Sequence, residues 1–137
     1  MKKTLLLAAA LACSGAVAQE KEVWACQGIF DGKTGFSWKN GKWVDSLFNE
    51  RNILVTIDGS NSVIKDDGTD FRYECTATSS VVRGALVSCR DGSSGSRFFL
   101  LNSESGHAGF SKLLGAADPD REYRDSVTTA LYECTKF

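Results

Sequence analysis

Apolar and polar residues alternate along most of the chain in short runs, and glycine-containing turns cut each run from the next. A period of two sets one face of a segment toward an interior and the other toward water, which is the signature of antiparallel strands. The first run is VWACQGIF, in which Trp24, Cys26 and Phe30 share a parity. FSWKNGKWV, Phe36 to Val44, comes next, followed by ILVTI at 53–57, which Asp58-Gly59 closes. SVIK leads into the polar stretch DDGTD, and FRYECTA at 71–77 places Phe71, Tyr73 and Cys75 on one side. VVRGALVSC, RFFLL, HAGFSKLL and SVTTALYECTKF complete the series. No stretch carries the period of an amphipathic helix. The pattern predicts an all-β domain of eight to ten short strands. The short connections favour a barrel-like antiparallel meander, with a β-sandwich as the alternative.

One turn is specified more sharply than the others. Asn40-Gly41 lies between two alternating runs, and both central residues of a type I′ hairpin turn need a positive φ that Asn and Gly tolerate. With that pair at the tip, Trp38 faces Trp43 and Lys39 faces Lys42 across the strands, so the two indoles share a face and touch. Phe36 extends this aromatic stripe. Phe36, Trp38 and Trp43 are candidate binding residues for a sugar, a peptide or another protein. Their other reading is a cover over the core.

The first residues, MKKTLLLAAALACSGAVAQE, join two lysines, an apolar run and the small-x-small sequence Ala16-Val17-Ala18. This reads as a signal peptide over 1–18, leaving a single domain over 19–137 in the periplasm or secreted. A lipoprotein anchored at Cys13 is the alternative. Removal of the leader takes Cys13 with it and leaves Cys26, Cys75, Cys89 and Cys134, an even number that predicts two disulfides in an oxidising compartment. No C-x-x-C spacing supports zinc. Of the three possible connectivities, Cys75–Cys89 would join neighbouring runs and Cys26–Cys134 would tie the first strand to the last. By loop entropy these stabilise by about 3 and about 4–5 kcal/mol respectively.

Charge narrows the partners. The leader takes away Lys2 and Lys3 and no acid, so 14 basic residues stand against 17 acidic ones. That balance gives no case for nucleic acid, and no second apolar run is long enough to span a bilayer. The expected chain is a monomer or weak oligomer without cofactor or metal. Catalytic groups are sparse. His107 is the single histidine, in SESGHAGF, and reads as a turn residue; GSSGS at 92–96 has the wrong order for a nucleophile elbow. The DPDRE stretch, with Asp118, Asp120 and Glu122, places Tyr123 where a calcium loop needs glycine. DDGTD reads as a turn. The remaining expectation is a non-enzymatic binding module for a protein or small ligand, with a lipocalin-like carrier or a small hydrolase as alternatives.

Two resemblances add to this. The early cysteine, GFSWKNGKWV, two central cysteines and the final CTKF resemble a group of small exported proteobacterial proteins of unknown function. Ser94-Gly95-Ser96-Arg97-Phe98 and Phe110-Ser111-Lys112, with Cys26 and Cys134 near the ends, are similar to elements of bacterial inhibitors of c-type lysozyme. Phe98 stands where that family has tyrosine. The resemblance implies a small exported β-barrel in which Ser94 and Lys112 enter a lysozyme cleft, Lys112 opposing its catalytic carboxylates.

Overall fold

The computed structural model describes residues 20–30, 33–49, 52–79, 85–93, 96–113 and 126–137. Residues 1–18, the expected leader with Cys13, and the DPDRE stretch lie outside them. Ten antiparallel strands follow one another: β1 (Glu22–Gly28), β2 (Lys33–Lys39), β3 (Lys42–Phe48), β4 (Ile53–Ile57), β5 (Ser62–Asp66), β6 (Thr69–Ser79), β7 (Ala85–Asp91), β8 (Arg97–Asn102), β9 (His107–Lys112) and β10 (Ser126–Lys136). Among the described residues the sole helical element is a 3₁₀ turn over Gly59–Asn61.

Strands β4 to β10 pair in sequence order, and β1 lies between β4 and β10, closing an eight-stranded barrel. The barrel form of the expected meander is therefore the observed one. Its closing seam pairs Cys26 with Cys134 directly, and Cys75 likewise opposes Cys89 on β6 and β7. Both expected disulfides form at these positions. The meander expectation needs one correction. The β2–β3 hairpin does not stand between β1 and β4 but leaves the barrel along β10, whose 11 residues serve β1 and β2 on one edge and β9 on the other. Gly28 to Trp24 pair with Tyr132 to Lys136, while Ser37 to Thr34 pair with Ser126 to Thr129. Gly35 permits the docking, because a Cβ there would collide with the Val127 carbonyl.

Alternation sets the core. Ile53, Val55 and Ile57 are buried while Leu54 is exposed, and Tyr73, Cys75, Phe99, Leu101, Tyr132 and Cys134 face the same interior. Phe71 packs against this core on the same side, as its parity predicts. Phe30 does not: β1 ends at Gly28, so the period is broken before it reaches Phe30, which is 62% exposed. At one end the barrel is sealed by Trp24, whose indole Nε1 donates to Glu22 at 3.1 Å. Lys136 Nζ reaches the other oxygen of the same carboxylate at 2.7 Å. Among the described residues, the opposite end holds a cavity.

Candidate functional site: the open end of the barrel

The open end is made by the first residues of β4, β6, β8 and β10 and the last residues of β5, β7 and β9. Inward parity carries polar side chains to its rim. On β8, Phe99 and Leu101 point inward, so Arg97 does too; on β9, Ala108 and Phe110 point inward, so Lys112 follows. Arg97 and Lys112 are directly opposed across the β8–β9 pair. Together with their neighbours they border an open cavity of about 370 Å³. Its wall includes Phe71, Tyr73, Phe110 and Tyr132, with Ser126 and Thr128 between them, and Phe48 and Asn49 form a lip where the hairpin rejoins the barrel.

The cations are held in place. Asp91, 3% exposed at the end of β7, accepts hydrogen bonds from Ser93 N at 2.8 Å and Ser93 Oγ at 2.6 Å. It also accepts one from Arg97 at 3.2 Å. The guanidinium lies over the Phe71 ring, 4.2 Å from its centroid. Lys112 Nζ donates to Ser126 Oγ at 3.3 Å. Asp66 lines the wall on β5, four strands around the ring from β9 and hence on the far side of the mouth. Burial pushes the Tyr73 phenol up, against the opposing pull of Arg97, so the ring carries a neutral hydroxyl at any physiological pH. Charge, hydrogen-bonding groups and flat apolar walls thus converge on one concave site, the usual composition of a small-molecule pocket.

Of the candidate binding residues among the described ones, Lys112 alone lines this cavity. Ser94 lies outside the described residues. Phe36, Trp38 and Trp43 are on the outer face of the hairpin: Phe36 opposes Val127, while its inward neighbour Gly35 opposes Thr128. Trp38 and Trp43 pair as expected, with ring centroids 5.3 Å apart and planes inclined at 68°. Phe36 is 47% and Trp43 36% exposed, so the aromatic face is turned to solvent and does not cover the core. His107 is exposed at the other end of β9, where it opposes Glu133; the hydroxyl of Ser105 contacts its backbone N–H. DDGTD is a hairpin turn with positive φ at Asp67 and Gly68, yet its first residue, Asp66, reaches the mouth. Among the described residues no cluster of three or more His, Cys, Asp or Glu could hold a metal.

Arg97, Asp91, Phe71, Tyr73, Phe110 and Tyr132 were not anticipated as site residues. A signal for the charged ones was present: Arg97 and Asp91 extend inward-facing alternations by one step past the apolar core. Comparison with known proteins returned no matching family model, no matching curated protein and no matching solved structure.

Proposed function

We propose that this domain is an extracytoplasmic binding module that takes a small ligand into the open end of its barrel. The observation that carries this reading is the cavity itself. Core side chains and two disulfides fill part of the barrel interior, while one end holds a space of about 370 Å³ bordered by aromatic rings, Arg97 and Lys112. An eight-stranded barrel either fills its interior with side chains or holds one small ligand, and a cavity of this size falls in the range of small-molecule sites. The disulfides support an oxidising compartment. No helix among the described residues is long and apolar enough to cross a membrane. Arg72, Glu74 and Arg90 are exposed on the outer wall of β6 and β7, which suits water and not hydrocarbon.

A thermal-shift screen of small molecules tests the reading with two variants. Ligands that stabilise the wild type should still stabilise Trp43→Ala, which alters the outer aromatic face. They should lose their effect on Ser126→Trp, which fills the mouth and whose fold is verified by circular dichroism. Stabilisation lost in Trp43→Ala and kept in Ser126→Trp would move the site to the hairpin and overturn the proposal.

Inhibition of a c-type lysozyme is a second reading, favoured by one observation: Lys112, the residue that the resemblance assigns to the lysozyme cleft, is at the rim of an open barrel end. The assay is direct. Absence of any effect of the purified protein on lysozyme activity at large molar excess removes this reading.

A further inference from the structure

We infer that the mouth selects organic anions, holding a carboxylate or phosphate between Arg97 and Lys112 with a flat apolar body against the aromatic wall. The inference rests on the mouth being the binding site and adds the chemical class of what it binds.

Its starting point is a register. Arg97 and Lys112 oppose each other directly on the inward face of β8 and β9. Like charges in that relation destabilise a sheet. Lys39 and Lys42 oppose each other at an exposed hairpin tip where water screens them, whereas Arg97 and Lys112 do so at the rim of a cavity. A local rule is broken most often where function requires it. Here the break occurs at the rim of a cavity, on a chain whose overall charge is −1. The two cations are also pre-oriented. Stacking on Phe71 fixes the plane of the guanidinium, and its ion pair with Asp91 uses one terminal nitrogen. Ser126 steadies the ammonium of Lys112. An anionic group placed between them gains charge-assisted hydrogen bonds from donors already in position, the geometry in which Arg recognises carboxylate and phosphate.

The remainder of the wall sets what the anion is attached to. Phe110 lies two residues before Lys112 on the same inward face, and Phe71 and Tyr73 stand on the β6 side. These rings offer flat contact to a planar or aliphatic body. Asp66 on β5 lines the cavity across the ring from Lys112 on β9, so the anionic end of the ligand is directed toward Lys112.

Calorimetric titration with 2-naphthoate, 2-naphthyl phosphate, neutral 2-naphthol and cationic 2-naphthylmethylamine tests the inference. At least one anion should bind about tenfold or more tighter than the cation, and the better of the two identifies carboxylate or phosphate as the preferred group. Lys112→Met should weaken that anion about tenfold while leaving 2-naphthol within about twofold, and Lys112→Arg should restore the anion. If Lys112→Met fails to fold, salt decides on the wild type: anion affinity should fall between about 20 mM and about 300 mM NaCl while naphthol stays level. Equal binding of all four probes at the mouth overturns the anion preference and leaves the site standing. Binding mapped to the outer hairpin face overturns the site itself. No binding of either anion at millimolar concentration overturns the preference, and the site is then judged by the thermal-shift screen.

Discussion

Gly106 and Gly109 stand three residues apart at the start of β9, yet substitution should affect them very differently. Gly106 holds φ at +73° and its N–H bonds Asn102 O, while a Cβ there would run into the Cys134 carbonyl oxygen at the barrel seam. Gly106→Ala should therefore cost about 2 kcal/mol or more in urea unfolding, from a strained backbone and a steric clash together. Gly109 faces outward with Leu131 as its nearest neighbour at an ordinary 3.8 Å, so Gly109→Ala should stay within about 0.5 kcal/mol of wild type. The Glu22 carboxylate gives a second residue-level expectation. The hydrogen bond from Lys136 is the largest influence on it and holds it below its ordinary value of 4.5. A depressed folded-state pKa adds stability that is full above the unfolded value and disappears as pH falls through the folded one. The stability gap between wild type and Glu22→Gln should be open at pH 7 and narrow below about pH 4.5, as read by denaturation at both pH values. At this scale sequence is an incomplete guide. Lys112 could be picked out by a motif; alternation turns Arg97 inward, but only the register sets it opposite Lys112.

The β2–β3 hairpin shows what local sequence can and cannot specify. Asn40 and Gly41 have φ of 51° and 75°, as a type I′ turn requires, and the register follows down to the Trp38–Trp43 pair. A double-mutant cycle on Trp38→Ala and Trp43→Ala should return a coupling of about 1 kcal/mol for the edge-to-face contact. Where the hairpin sits was not legible, because its place depends on Gly35 meeting the backbone of β10 more than 90 residues away in sequence. The face it presents was equally undetermined. A stripe of alternating aromatics is the same stripe whether it looks inward or outward, and only the Gly35–Thr128 register decides. Iodide should quench Trp43 strongly and leave Trp24, which is 4% exposed, protected. Three single-tryptophan variants resolve the order, and full protection of Trp43 would place the aromatic face against other parts of the chain.

For the molecule as a whole, closure is the decisive event. Alternation, turn residues and an even number of cysteines favoured a barrel over a sandwich and, among three connectivities, the two disulfides that form, by strand parity and by the first strand meeting the last. The mouth was not readable, because it gathers one to three residues from each of several strands that no sequence window brings together. The two cross-links should matter unequally. Cys26–Cys134 spans 108 residues and Cys75–Cys89 spans 14. Replacing the first pair by alanine should remove about 4–5 kcal/mol against about 3 for the second, measured by denaturant midpoints. The first value is of the same order as the whole stability of a domain this size.

The claim on which the functional account depends is that ligands enter the barrel and do not lie on its outer aromatic face. Backbone amide NMR of the wild-type protein, titrated with 2-naphthoate, reports both surfaces in one experiment. The account predicts the largest shift changes at Phe71, Tyr73, Arg97, Phe110, Lys112 and Thr128, with the amides of Phe36, Trp38 and Trp43 unmoved. Changes confined to those three residues, with the barrel mouth silent, would contradict it.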